Sequence, residues 1–166
     1  MGIDWTAVSV VVAVAVFVAE MIDRRRSRQA SSRLIAEYLA LDLSNLVIQS
    51  RQIGMYVGTM DVVWNVPPSR ADRFLIETAE ALALPTIERH AESLANLPPA
   101  LTHAVALCVV HLRELKEETR LFTSDEVLGR NYLSLTEGKR RTNQAAATLM
   151  QSAEKALAIA DQVRAR

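Results

Sequence analysis

The chain has 166 residues, of which 50% are hydrophobic and only 5% aromatic, and its 19 basic residues balance 19 acidic ones. This neutral balance argues against a general nucleic-acid binder, which would carry a clear basic excess. A single cysteine, Cys108, excludes an internal disulfide. Abundant Ala and Leu favour helices, and the length suits one domain preceded by a short anchor.

The first predicted element is a membrane-spanning helix within residues 1–23. The stretch from Trp5 to Ala19 carries no charge, and Ile3 to Ile22 supplies the ~20 helical residues that a bilayer core needs. A cleaved signal peptide is disfavoured because no Lys or Arg precedes the apolar run. A buried core helix is the other alternative, and it is disfavoured because the flanking charge is concentrated on one side.

Basic residues lie just after this predicted span, and they set its expected orientation. The positive-inside rule places the N-terminus outside and residues 24–166 in the cytoplasm. Either these arginines are only a topology signal, or they also hold anionic headgroups together with the C-terminal arginines. The residues assigned to the membrane surface are Arg24, Arg25, Arg26, Arg28, Arg33, Arg164 and Arg166.

The first helix after the span is predicted to run from Arg28 to about Asn65, because apolar residues recur at alternating steps of three and four. Its seam consists of Ala36, Leu39, Leu43, Leu46, Ser50, Ile53, Val57, Met60 and Trp64. Further apolar residues widen the stripe, as expected for a bundle helix with two neighbours; these are Leu34, Ile35, Tyr38, Leu41 and Val47. Gly54 and Gly58 beside the seam permit either a close helix crossing or a local weak point.

Prolines divide the middle of the chain. Pro67 ends the first helix, and Pro85 predicts a kink or short break in the second, whose stripe resumes in a shifted phase at Leu84. Pro99 can occupy the first turn of the third helix. The predicted seam of that helix is Leu101, Val105, Cys108, Leu112, Leu115, Thr119 and Phe122. Because residues 104–110 are apolar on all sides, we expect this helix to be the most buried.

Cap residues at 123–126 predict a fourth helix over about residues 124–165, which returns the C-terminus to the membrane face beside Arg28. Its seam is Leu128, Tyr132, Leu135, Lys139, Thr142, Ala146, Leu149, Ala153, Ala156, Ala160 and Val163. Lys139 departs from the pattern, so either the helix is interrupted near Gly138 or the lysine reaches out from the edge of the seam. The predicted fold class is therefore all-α, with a single N-terminal transmembrane helix followed by an antiparallel up-down-up-down four-helix bundle.

Little in the sequence predicts chemistry. His103 and His111 lie on one helix face, but the Glu-x-x-His order of di-metal bundles is missing, so no metal site or cofactor is expected. No spacing indicates a nucleophile with a base, and no glycine-rich phosphate loop occurs. The basic cluster at residues 139–141 lacks the interleaved aromatics of a nucleic-acid surface.

Three functional hypotheses follow. The leading one is a non-enzymatic, membrane-tethered helical bundle that scaffolds or signals by binding another protein or a second copy of itself, with the lipid bilayer as a further partner. The second places the bundle outside the cytoplasm as a ligand-sensing or envelope module on the same anchor. The third is an enzyme whose site the sequence does not disclose.

Overall fold

The computed structural model describes the backbone of residues 5–59, 70–123 and 132–165. Side chains are described over residues 16–59, 73–92, 94–123 and 136–165. The described residues form helices and short connections, with no strand among them, so the all-α class is confirmed. The helices are α1 (Trp5–Thr59), α2 (Arg70–Ala81), α3 (Pro85–Arg89), a 3-10 helix (Ala91–Asn96), α4 (Pro99–Phe122) and α5 (Tyr132–Arg164).

The last helix, α5, runs antiparallel to α1 from about Asn143 to Arg164, opposite residues 33–58 of α1. At one end Arg33 and Arg164 line a common cavity, and at the other end the backbone at Gly58 passes close to Asn143. The same helix is antiparallel to α4, because Phe122 at the end of α4 packs on Gly138 near the start of α5. Helices α1 and α4 are therefore parallel to each other on either side of α5.

The segment comprising α2, α3 and the 3-10 helix returns along α1 in the opposite direction. Near the far end of α1, the rings of Tyr56 and Phe74 lie 5.1 Å apart between centroids. Further back along α1, the ring of Tyr38 stacks on His90, with 6.2 Å between centroids. The chain direction thus alternates from α1 to the α2–α3 segment, to α4 and to α5.

Predicted seams of α1, α4 and α5 coincide with the core at all described side chains except Lys139 and Val163, which are half-buried. All seam members of α1 from Ala36 to Val57 are at most 1% exposed, and those of α4 are buried throughout. In α5 the seam is buried from Thr142 to Ala160, and Val163 is half-buried. Met60, Trp64, Leu128, Tyr132 and Leu135 lie outside the residues whose side chains are described. The helix continues through Gly138, which excludes the predicted interruption.

Helix α4, which was expected to be the most buried, has eight buried residues among its 24. Within residues 104–110, however, Leu107 and Val110 are 41% and 57% exposed. Only Ala104, Val105 and Cys108 in this stretch are buried. The reason is geometric, since α4 is covered by α5 on one side and by the α2–α3 segment on another, which leaves its third side open.

The predicted membrane span is wrong. Within the part of the chain that the structure describes, no helix is long and apolar enough to cross a bilayer. Before Asp23, side chains are described only from Val16 to Ile22, and this segment includes the charged Glu20. The segment is far shorter than the ~20 residues that a span needs. Residues 1–15, which contain most of the predicted span, have no described side chains. The single-pass topology, with the N-terminus outside and the bundle in the cytoplasm, is corrected with it.

At Pro85 the structure has the short break that the sequence predicted. Helix α2 ends at Ala81, and α3 begins at Pro85 in the first-turn position that its fixed φ and missing N–H suit. Leu82 and Leu84 between the two helices are both buried, which accounts for the phase shift of the apolar stripe. A hydrogen bond joins the break to α1, because the Thr86 backbone N–H donates to the Asp42 carboxylate at 2.9 Å.

Candidate interaction site

Helix α1 carries an apolar stripe on the face opposite its core seam. Leu34, Leu41, Ile48 and Met55 form this outer stripe, and they are 54%, 62%, 55% and 67% exposed. Because seven residues make nearly two helical turns, these four side chains lie in one row about 31 Å long. Scattered exposed apolar residues are ordinary on a protein surface, but a row at heptad spacing has the geometry of a helix-packing seam.

Polar residues border the outer stripe on both sides. Glu37 and Arg51 lie along one edge, near opposite ends of the stripe. Tyr38, Asn45 and Gln52 lie along the other edge, and all five of these residues are exposed. Arg51 also reaches Glu154 of α5 at 3.5 Å, in an ion pair whose two side chains are mostly in solvent. An apolar row with a polar rim is the usual arrangement of a protein interface.

A second apolar feature is a groove between the 3-10 helix and α4. It encloses about 270 Å³ and is lined by Ile87, Leu94, Leu97, Thr102, Val105, Ala106 and Val109. The hydroxyl of Thr102 donates to the Pro98 carbonyl at 3.3 Å, so this polar group already has an acceptor in the residue that precedes α4. The groove can therefore accept apolar atoms without leaving that hydroxyl unpaired.

The arginines assigned to the membrane surface occupy two regions of the structure. Arg24, Arg25, Arg26 and Arg28 are exposed along α1, where Arg24 lies 3.9 Å from Glu20. Arg33 and Arg164 come together at an open cavity of about 470 Å³ that Glu37 and Asp161 also line. Arg164 donates to Asp161 at 3.0 Å, whereas Arg166 lies outside the described residues.

The two basic groups at this cavity are thus accompanied by carboxylates, and the site is mixed in charge. Arg33 of α1 and Arg164 of α5 lie at the same cavity because the antiparallel arrangement brings the C-terminal end of α5 beside residues 33–37. With the span corrected, no contact of the described residues supports a membrane-surface role for these arginines.

The histidines make two contacts that the sequence did not predict. His111 Nδ1 and Ser152 Oγ form a 2.7 Å hydrogen bond between α4 and α5. In the catalytic form of such a pair the histidine is oriented by a carboxylate, and no carboxylate bonds to His111 in the described part of the chain. The bond therefore serves to join two helices. His103 is exposed, and His90 stacks on Tyr38.

Metal binding has no support among the side chains that are described, where no three His, Cys, Asp or Glu residues form a group suited to an ion. Cys108 is fully buried, and this burial raises the pKa of its thiol to about 11. Since the thiolate is the nucleophile and ligand form of cysteine, the thiol is inert at neutral pH and acts as a small apolar side chain.

Two residues of the basic cluster of α5 are paired within their own helix. The guanidinium groups of Arg140 and Arg141 donate to the Glu137 carboxylate at 2.7 to 2.9 Å. These hydrogen bonds lower the pKa of Glu137 to about 2. The paired side chains are 41% to 61% exposed and belong to residues three and four apart, so they are typical of an exposed helix face.

Comparisons with models of protein families, with curated proteins and with solved structures find no match for this sequence. Function must therefore be argued from the molecule itself. Of the outer stripe, only Leu34 and Leu41 were named from the sequence, as part of a wider apolar face expected to contact two neighbours, and both are instead exposed. Ile48 and Met55 were missed, although their heptad spacing from Leu41 was a usable signal.

Proposed function

We propose that this protein is a non-enzymatic helical bundle that scaffolds or signals by binding another protein. The observation that carries the proposal is the outer stripe, a row of four exposed apolar side chains on α1, the longest of the described helices. Covering apolar surface contributes about 25 cal/mol per Å². A partner helix laid along this row would therefore gain from each of the four positions at once.

The surroundings of the stripe support a reversible contact. A row one helix wide and about 31 Å long falls below the ~800 Å² per partner of a standard interface. Its rim is polar, so the unbound chain keeps groups that water solvates well. These properties suit an interface that forms and dissociates, as expected of a scaffolding or signalling protein.

The experiment compares capture of partner proteins by wild type and by variants of the outer stripe. The double variant Leu41→Lys and Ile48→Lys places two charges at the centre of the stripe without removing core side chains. Val110→Lys is the matched control, because Val110 on α4 is 57% exposed against 55% for Ile48. We expect the double variant to lose the captured partner and the control to retain it.

Folding is checked by circular dichroism on all three proteins, and we expect equal helix content and melting temperature. If the folded double variant captures the same proteins as wild type, the outer stripe is not the interface and the proposal is rejected. Loss of capture by Val110→Lys alone would likewise contradict it, since the interface would then lie on α4.

A second candidate function, ligand sensing, is favoured by the apolar groove beside α4. Ligand sites are concave and mostly apolar, although they are usually larger than this groove of about 270 Å³. Ala106→Leu would fill the groove from an exposed position. A fluorescent dye with an apolar ring system, such as the anionic anilinonaphthalene sulfonate, is expected to bind wild type and to lose affinity in Ala106→Leu, with Val110→Leu as control. Equal dye binding by all three proteins would reject this candidate.

A further inference from the structure

We infer that the occupant of the outer stripe is a second copy of the same helix, packed antiparallel about a two-fold axis between Ser44 and Asn45. This inference rests on the proposed function and specifies its partner. It draws on the order of apolar and charged residues along the exposed face of α1, which is complementary to itself when one copy is reversed.

The apolar row fits itself in this register. With the axis between Ser44 and Asn45, Leu41 of one copy lies against Ile48 of the other, and Leu34 lies against Met55. All four side chains of each copy are then covered. The two Leu41–Ile48 contacts lie near the axis, and the two Leu34–Met55 contacts lie further from it. No stripe residue is left without a neighbour across the interface.

The charged rim selects the antiparallel direction. Glu37 and Arg51 lie on the same edge of the stripe, and in an antiparallel helix pair corresponding edges face each other. Reversing one copy therefore brings Glu37 of each chain opposite Arg51 of the other, which makes two equivalent ion pairs. In a parallel pair each edge faces the opposite edge, so these charges would lie opposite the uncharged Tyr38 and Gln52.

The second rim agrees with the same register. Tyr38 of one copy lies opposite Gln52 of the other, and the two Asn45 side chains meet near the axis, where their amides can bond to each other. No like charges face each other on either edge. Glu37 and Arg51 lie opposite each other in this register and attract. The rim therefore determines the direction and register of the pair and adds little to its affinity.

The existing contact of Arg51 does not oppose this arrangement. Its ion pair with Glu154 is 3.5 Å long, and its side chains are 61% and 47% exposed. Such a solvent-exposed pair is weak and can be exchanged for another carboxylate. Arg51 can then lie between Glu154 of its own chain and Glu37 of the second copy.

The small area sets the expected affinity. One helix face buries less than a standard interface, so we expect a reversible dimer with a dissociation constant of about 10 to 100 µM. Sedimentation velocity of the full chain across this concentration range should show a monomer–dimer equilibrium. A chain that stays monomeric throughout would overturn the inference.

Charge reversal tests whether the interface is self-complementary. Glu37→Arg and Arg51→Glu each replace two attractive pairs by two repulsive ones, and each variant alone should dimerise at least about tenfold more weakly than wild type. Mixed together, the two variants restore both attractive pairs, so a heterodimer should form with near wild-type affinity. Failure of the mixture to associate would overturn the inference.

Cross-linking tests the direction. Glu37→Cys and Arg51→Cys are mixed and treated with a short bis-maleimide, while wild type serves as control because its Cys108 is fully buried. The antiparallel pair predicts cross-links between the two variants and few within either alone. Cross-links of Glu37→Cys to itself would show a parallel pair and overturn the inference.

The outcomes also separate this inference from the proposed function. A monomeric chain that still captures a different protein through Leu41 and Ile48 would reject self-association and leave the proposed function standing. A monomeric chain whose capture is unaffected by the lysine variants would reject both.

Discussion

At the scale of single residues, glycines mark the closest approaches between helices. A Cβ placed on Gly138 would lie 2.9 Å from Cδ2 of Phe122, a distance that real Cβ atoms almost never show. A Cβ on Gly54 would lie 3.2 Å from Oδ1 of Asn143, whereas one on Gly58 would be 3.9 Å from Nδ2 of the same residue. Of the two alternatives for the glycines of α1, close crossing therefore applies at Gly54, and Gly58 has room for a side chain.

This difference predicts opposite effects of the same substitution. Gly138→Ala should destabilise the fold by about 1 kcal/mol, because displacing the buried ring of Phe122 costs more than the helix propensity of alanine returns. Gly58→Ala is the matched control and should stabilise the fold by up to ~1 kcal/mol, since it gains propensity without a clash. Urea unfolding measures both, and a Gly138→Ala protein at least as stable as wild type would contradict the prediction.

At the scale of elements, the sequence located helices better than it located surfaces. The seams of α1 and α4 were predictable because their periodicity runs uninterrupted over several turns, as was the break at Pro85, where the proline ring prevents a continuous helix. The outer stripe and the open side of α4 were not, because periodicity identifies apolar rows without saying how many have a neighbour. The same limit applies to the apolar N-terminal run, whose hydropathy was interpreted as a membrane span.

The break between α2 and α3 has a second cause that no local pattern contained. Asp42, on α1, accepts the backbone N–H of Thr86 from 44 residues further along the chain. The carboxylate thereby satisfies an N–H in the first turn of α3, a group that otherwise lacks a helical partner. Long-range contacts of this kind depend on the assembled bundle, so they cannot be inferred from the spacing of residues.

Asp42→Ala is therefore expected to destabilise the fold by about 1 to 2 kcal/mol, since it removes a charged acceptor and leaves the Thr86 N–H unpaired in a partly buried place. Asp42→Asn keeps an acceptor oxygen in position and should lose less than half as much. Thermal unfolding of both variants measures the difference. Equal losses in the two variants would mean that the hydrogen bond to Thr86 is not what the carboxylate contributes.

At the scale of the whole molecule, α5 is the centre of the fold. It packs against both α1 and α4, and its small buried side chains (Ala146, Ala153, Ala156 and Ala160) let both neighbours approach closely. The α2–α3 segment instead covers one side through a few buried leucines. Stability is therefore distributed unevenly, and the outer stripe lies on the half of the bundle that α5 holds together.

This distribution predicts the order in which backbone amides exchange with solvent. Local opening is easiest where few buried apolar side chains hold an element. Helix α2 has 12 residues, and its described buried side chains are Leu75 and Ala79. We expect its amides to exchange through partial opening, well before those of residues 145–156 in α5, which require global unfolding. Hydrogen exchange measured by mass spectrometry tests this order, and equal protection of α2 and α5 would indicate a single cooperative unit.

Under the proposed function, partner binding should slow exchange along residues 34–55 of α1 and leave α2 unchanged, because the binding face is held by α5 and does not depend on the segment that opens first.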